Sequence, residues 1–259
     1  MISGIQLKVL IKDLEINRAH VTINHDRRYS YSHALITVNN ADRIIEKEVF
    51  MGDSVSIYYG YRGQSLTEYL GTILRVMPEK DNVFITVVGL AYPGKKLIKQ
   101  TWQNETPSAI IKYCLNEIGI EPGRIDEPGC TIETFVASNF TIFHLAVLLR
   151  DICHRSYGMD MNGWDLFMDS TGRMNWGDFV EDIADIPVLE TGKEMVTHNP
   201  SGFGNLDSFV EAFMIPWFKD SMNFKLIDES RGVNQVYRAF AVEHEVSEKV
   251  RTRIGYEIK

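Results

Sequence analysis

Cysteine is scarce in this chain: its 259 residues hold three, Cys114, Cys130 and Cys153. An odd number of widely separated thiols does not make a disulfide framework, and fits buried side chains in a reducing compartment. No run of about eighteen apolar residues occurs, so no helix long enough to span a membrane is expected. The opening MISGIQLKVLIKDLEI alternates and is charged early. It lacks the basic start, apolar core and small-residue cleavage site of a secretory signal. Positive charge is in deficit, with a formal net charge of -8. A protein that grips duplex nucleic acid needs a basic face to displace counterions, so that class is disfavoured. Glycine-rich phosphate loops, nucleophile elbows and paired CxxC motifs are also missing, which removes the common signatures of enzymes.

What remains is an ordinary folding composition, 44% hydrophobic and 24% charged, which argues against disorder. Its organising stretch is Phe50 to Leu90. Val55, Ile57 and Tyr59 alternate after the Gly52-Asp53 turn, Tyr69 to Val76 forms a second apolar segment, and Val83 to Val88 a third. This predicts three strands. A similar outline returns about 167 positions later, setting Asp53 on Asp220, Ser54 on Ser221, Tyr69 on Tyr237 and Val83 on Val250. Identities are few; the shared order of polar turn, alternating strand, long strand, charged turn and closing strand predicts a duplicated unit.

Before the first copy, residues 2–11, 16–25 and 29–38 alternate as strands, and 41–49 fit either a short helix or a loop. Thr106-Pro107 predicts a capped helix with a stripe of Ile110, Ile111, Cys114, Leu115 and Ile118, ended by Gly119. Thr131 to Val136 reads as a strand. A second helix starts near Asn139 or Thr141, buries Ile142, Leu145, Leu148, Leu149 and Ile152, and stops at Gly158. A hairpin follows around Asp169 to Gly172. The expected class is α+β, mainly β. It has a first β domain over residues 1–97, an α/β module over 98–180, a long loop over 181–212 and a second β unit over 213–259. The last is open to completion by strands from elsewhere in the chain.

Three stretches resemble the phage baseplate hub family, which includes late control gene D proteins and the hub half of type VI secretion spike proteins. FMGDSVSIYYGY with YLGTILRV is similar to a hub strand, turn and return strand. TPSAIIKYCLNEIGI, TFVASNFTIFHLAVLLRDICHRSYG and WDLFMDSTGRMNW are similar to its two helices and hairpin. IPWFKDSMNFKLID, YRAFAVEHEVS and RTRIGY are similar to its closing module. The resemblance implies two tail-tube-like barrels per chain flanking the α/β module. A homotrimer would then present six barrels, matching a sixfold tube to a threefold spike. It implies a tail tube or distal tail protein, a spike protein and the tape measure protein as partners, with DNA only passing through the lumen and no membrane binding. It implies the virion baseplate as location, after synthesis in the bacterial host cytoplasm. The acidic balance would suit a lumen to which DNA does not adhere. Phe50, Asp53 and Ser54, with Phe218, Asp220 and Ser221, are the candidate equivalent interface turns. No needle, peptidoglycan-binding or lysozyme-like segment is visible after Lys259.

Other chemistry is weaker. His244-Glu245 opens an HExxH-like run, but Glu248 stands where the second histidine must be, so it is no zinc-protease motif. Cys130, His144, Cys153 and His154 invite a metal reading, yet adjacent helical residues diverge by about a hundred degrees. Asp169 to Gly172 resembles the start of a calcium loop, but Arg173 places a cation at a ligand position. Asp151 with Asp160, or Asp178 with Glu181 and Asp182, could serve glycoside hydrolysis, as in a phage peptidoglycan hydrolase. Tyr58, Tyr59 and Tyr61 with Arg62 invite an OB-like single-strand binder, though consecutive strand residues face opposite ways. No catalytic residue, cofactor site or metal site is expected.

Overall fold

Alternation of apolar and polar residues decides most of this fold. The computed structural model describes residues 4–26, 31–41, 43–169, 172–178, 186–200, 208–247 and 249–256. The chain opens with β1 (Ile5–Ile11), β2 (Leu14–Ile16), β3 (His20–Asp26) and β4 (His33–Asn39), then a one-turn helix α1 (Ile45–Glu48). Next come β5 (Ser54–Tyr61), β6 (Thr67–Glu79) and β7 (Asn82–Gly89). A mixed segment follows: β8 (Ile98–Glu105), α2 (Pro107–Ile118), β9 (Pro122–Ile125), β10 (Ile132–Phe140), α3 (Ile142–Tyr157), β11 (Asp165–Met168) and β12 (Met174–Gly177). The chain closes with β13 (Val188–Glu190), β14 (Met195–Asn199), β15 (Ser208–Phe213), β16 (Asn223–Asp228), β17 (Val233–Val246) and β18 (Val250–Tyr256).

These elements form two compact units. One takes Met1–Arg28, Ser32–Leu90 and Asp182–Lys259; the other takes Tyr29–Tyr31 and Ala91–Glu181. The first unit is one 13-stranded sheet in the order β14-β15-β18-β17-β3-β4-β7-β6-β5-β1-β2, with β16 joining β17 and β13 joining β16. Two separate cores lie against it. The N-terminal strands enclose Val9, Val21, Ile36, Ile57, Ile73 and Ile85, and the C-terminal strands enclose Leu189, Val210, Phe218, Phe224, Val242 and Tyr256. Among the described residues no ladder runs from β3 back to β1 or β2.

The second unit is built by capping chemistry. Thr106 Oγ1 accepts from Ala109 N, Pro107 sits at the first helical position, and Gly119 closes α2 at φ 75°. Thr141 Oγ1 accepts from His144 N, and Gly158 closes α3 at φ 67°. Both ends satisfy backbone groups a helix leaves unpaired. The buried stripe of α2 meets Leu145, Leu149 and Cys153 of α3 in one core, together with Trp102, Phe135 and Trp176.

Two expectations change. The segment read as a loop over 181–212 holds β13, β14 and β15. Strands of three to six residues flanked by proline and glycine are too short to show a period-two pattern. The second β unit thus gains three strands from that segment. The ambiguous stretch 41–49 contains α1, where Asn40 Oδ1 accepts from Ile45 N at 3.0 Å and Asn40 Nδ2 donates to Glu46 Oε1 at 3.0 Å.

Candidate functional site: a duplicated sheet and its seam

The two segments have similar strand pairings. In the first copy Ser54, Val55, Ile57 and Tyr59 face Thr72, Gly71, Tyr69 and Thr67. In the second, Asn223, Phe224, Leu226 and Asp228 face Arg238, Tyr237, Gln235 and Val233. Each long middle strand shifts register once, between Ile73 and Arg75 in β6 and between Ala239 and Ala241 in β17. The same brace stands beside each shift. Gly52 N donates to Ile73 O at 2.8 Å and Ile73 N to Asp53 O at 2.9 Å; Ser221 N donates to Ala239 O at 3.0 Å and Ala239 N to Met222 O at 2.9 Å. Gly52 and Ser221 both take positive φ, 92° and 76°. The equivalence extends outward, since β4 flanks β7 as β15 flanks β18, and β3 flanks β4 as β14 flanks β15.

These ladders also correct the register read from sequence. Gly52 corresponds to Ser221, Asp53 to Met222 and Ser54 to Asn223, two places away from the pairing of Asp53 with Asp220 and Ser54 with Ser221. The connection from β5 to β6 is longer than that from β16 to β17, while the β6–β7 hairpin is shorter than its counterpart. No single displacement aligns both strands and turns. The six proposed turn residues accordingly differ in setting. Phe50 is 54% exposed, with the Lys12 ammonium 5.6 Å above its ring. Asp53 accepts from Phe50 N at 2.8 Å and pairs with Lys12 Nζ at 2.6 Å, and these contacts hold its carboxyl below the usual range. Ser54 opens β5 exposed, and Asp220 is half-buried. Phe218 and Ser221 are wholly buried, Phe218 in the C-terminal core.

The two copies join along β3 and β17, where Val21, Thr22, Ile23, Asn24, His25 and Asp26 face Val246, Glu245, His244, Glu243, Val242 and Ala241. β17 can serve both copies because β16 pairs only with its first half, Val233–Arg238. Met214 and Val246 cross into the N-terminal core, and Tyr61 Oη donates to Met214 O at 2.9 Å. Beneath the seam lies His244, fully buried. Its Nε2 lies 2.8 Å from Phe218 O, a carbonyl that only accepts, so Nε2 carries the proton. Its Nδ1 then accepts from Thr252 Oγ1 at 3.0 Å, and that oxygen accepts from Ile215 N at 2.8 Å. In the neutral form both ring nitrogens are satisfied. Burial accordingly pushes His244 down to about 4, and pushes the neighbouring His25, 6.2 Å away between ring centres, well below its ordinary value.

A second buried polar group pins the outer strand of the C-terminal copy. His198 of β14 lies 2.6 Å from Asp228 Oδ2 and 2.6 Å from Tyr256 Oη, joining β14, β16 and β18. Ser230 Oγ donates to Asp228 Oδ1 at 2.6 Å; this bond and His198 hold that carboxyl low. Sequence reading missed Met214, His25 and His198, and set Tyr61 in a stacking surface rather than against Met214 O. Their only signals were single polar or soft residues inside apolar runs, which fix no partner.

The other candidates fall apart geometrically or reduce to packing. His244 and Glu245 sit on a strand, not a helix; Glu248 lies outside the described residues. Cys130 and Cys153 do meet, Sγ to Sγ at 3.5 Å, but His154 Nδ1 instead contacts Met159 O at 3.0 Å. Among the described residues no group of three potential metal ligands forms. Asp169 Oδ1 accepts from Arg173 N at 3.1 Å and Asp169 Oδ2 from Asn175 Nδ2 at 2.8 Å, the work of a hairpin turn; Ser170 and Thr171 lie outside the described residues. Asp151 lies beside Arg150, and Asp160 caps Asn162 N at 3.1 Å; Glu181 and Asp182 lie outside the described residues. Tyr59 is buried while Tyr58 and Tyr61 are partly exposed, so the three do not form one stacking surface.

No family model and no curated protein sequence matches this chain. Solved structures do. The 43 kDa tail protein of prophage MuSo2 from Shewanella oneidensis superimposes with a TM-score of 0.75 at 10% identity, covering 98% of this chain and 98% of that one. The tail protein from Neisseria meningitidis MC58 gives 0.69 at 10% identity over 99% and 97%. The E. coli c3393 protein, a component of the type VI secretion system structurally similar to the T4 bacteriophage tail proteins gp27 and gp5, gives 0.69 at 10% identity over 97% of this chain and 77% of that one. Over nearly its whole length, this chain has the fold found in those phage-tail and type VI secretion proteins.

Proposed function

We propose that this chain is a structural subunit of a phage tail or related contractile injection system. In finer terms it is a baseplate hub whose homotrimer adapts a sixfold tail tube to a threefold spike. The observation that carries this reading is the duplication of one strand-and-turn plan within one chain, down to the bulge in each middle strand and its brace. Three chains with two like units each make six like units, the number needed to meet a sixfold neighbour without changing the threefold one. Each unit would close as a tail-tube-like barrel around its own core. The partners on this reading are the tail tube or distal tail protein on one face, the spike protein on the other, and the tape measure protein and DNA in the lumen. The net charge of -8 supports a lumen that repels DNA.

The test is mass in solution by light scattering, with negative-stain images of the same sample. The expected result is a trimeric mass and a threefold ring with a central hole. A monomer at every concentration, or release of sugar from purified cell walls, would overturn it; the second result would favour a peptidoglycan hydrolase.

A further inference from the structure

Two separate pieces of backbone bring Cys130 and Cys153 together. Cys153 continues the buried stripe of Leu145 and Leu149 into the last turn of α3, and Met159 N closes that turn by donating to Cys153 O at 3.1 Å. Cys130 lies in the segment that joins β9 to β10. There Gly129 takes φ 86° and its N donates to Glu127 Oε1 at 3.5 Å, while Ser108 Oγ, in the first turn of α2, donates to Glu127 Oε2. The two sulfurs then stand in contact, 3.5 Å apart. Cys114 shares their core but not the contact.

We infer that Cys130 and Cys153 are a disulfide-forming pair: oxidation closes the sulfurs from 3.5 Å to about 2.05 Å and ties the segment before β10 to the end of α3. The site lies wholly within the second compact unit, so it stands whatever the number of chains in the assembly.

Burial sets the order of events. Cys153 is 0% exposed, whereas Cys130 is 8% exposed and meets a solvent-borne oxidant first. With glutathione disulfide as that oxidant, Cys130 gives up its proton and its thiolate attacks one glutathione sulfur. The glutathione S–S bond breaks, a mixed disulfide forms on Cys130, and one glutathione leaves and takes up a proton. Cys153 then loses its proton and attacks the Cys130 sulfur, expelling the second glutathione, which is protonated in turn. Two protein thiols lose two electrons and two protons, and one glutathione disulfide becomes two thiols. Burial, with Cys130 and the Glu127 carboxylate nearby, pushes the Cys153 thiol up to about 12, so its thiolate is scarce and the second step is slow. Slow closure lets the reduced chain pack first, and the bond then locks what is already in place. The closed loop, residues 130–153, holds all of β10 and most of α3. Cross-linking it restricts the unfolded chain more than the folded one.

The test takes the full chain purified in reductant, exposes it to oxidised glutathione, alkylates the remaining thiols in urea and digests with trypsin. Cleavage after Lys112, Arg124, Arg150 and Arg155 puts each cysteine on its own peptide. The expected products are a linked pair of Cys130 and Cys153 peptides and an alkylated Cys114 peptide. The melting temperature of the oxidised chain should rise by about 5–10 °C and return with dithiothreitol. Cys153→Ser should halt at the mixed disulfide on Cys130, and Cys114→Ala should keep both the linkage and its thermal shift. Three alkylated thiols in the oxidised wild type, a linkage that includes Cys114, or a wild type that halts at the mixed disulfide overturns the inference. So does a linked chain that melts no higher than the reduced one. These four readouts come from the wild type, so they decide the matter even where a variant fails to fold.

Discussion

The two copies of the β unit share a ladder plan and fill it differently. The first is mostly aliphatic, with Val55, Ile57, Ile73, Ile85 and Val87 in its core beside Tyr59 and Tyr69. The second is aromatic: Phe218, Phe224, Tyr237 and Tyr256 stand in a chain of ring contacts with centres 6.1, 6.1 and 4.5 Å apart. The positions correspond. Phe224 holds the place of Val55, Leu226 that of Ile57 and Tyr256 that of Val87, by their ladder partners. What the copies retain is backbone: pairing, bulge, brace and positive φ. A strand pair constrains which residues face inward but not how large they are, provided the opposite wall adjusts its volume. The second copy has a shorter first strand, six residues against eight, and its larger rings bury more surface per residue.

Equivalent truncations should therefore cost unequal amounts. Phe224→Ala removes a fully buried ring from the aromatic chain and is expected to cost about 3–5 kcal/mol. Val55→Ala at the matching place removes two methyl groups and is expected to cost about 1–3 kcal/mol. Urea unfolding followed by fluorescence measures both. Equal losses would mean that the aromatic contacts add nothing beyond their place in the ladder.

Next in size is a pH effect that separates the copies. His244 occupies the place that Pro78 holds in the first copy, so only the second copy has a buried imidazole there. Its pKa is lowered from 6.5 to about 4 by burial. The unfolded chain takes up a proton on this ring near pH 6.5 and the folded chain does not, so acid favours unfolding. The stabilisation is complete above about pH 6.5, declines as the pH falls, and is lost by about pH 4, to the extent of roughly 3 kcal/mol. His25 shifts in the same direction and deepens the loss. Melting temperatures of the wild type and His244→Gln between pH 7 and 4 check this: the variant should be less stable at pH 7 and show a shallower decline. Parallel curves would remove His244 from the acid sensitivity.

How much of this was written in the sequence depends on the range of the contact. α2 and α3 announce themselves because Thr106, Pro107, Gly119, Thr141 and Gly158 act within one turn of the residues they cap. The three strands of each copy are legible as alternation, and their repeated order gives the duplication. The register of the repeat is not, because turns of different length displace each strand separately. The seam is not legible either. Val21, Ile23, Val242 and Val246 look like any alternating apolar residues, and only the premature end of β16 exposes the edge that β3 occupies. β13, β14 and β15 are held in place by neighbours far along the chain, His198 by Asp228 and Tyr256 among them, so local propensity gave them no outline.

The smallest effect tests the brace itself. Gly52 and Ser221 perform one backbone task, at φ 92° and 76°, where a residue with a Cβ pays in strain and glycine does not. No heavy atom lies within 4 Å of a Cβ added at Gly52, so the strain there is purely conformational. Ser221 is fully buried, and among the described residues its hydroxyl has no hydrogen-bond partner. Ser221→Gly relieves both the strain and the desolvated hydroxyl, against the greater entropy of glycine in the unfolded chain, and is expected to stabilise by about 1 kcal/mol. Gly52→Ser installs the strain in the other copy and is expected to destabilise by about 1 kcal/mol. The opposite signs matter more than the sizes. If two substitutions at matching places move the unfolding midpoint in opposite directions, the places match in conformation and differ only in occupant. If Ser221→Gly destabilises, the serine side chain holds something in the C-terminal core that the glycine of the first copy never had to hold, and the equivalence of the two braces ends at the hydrogen bonds.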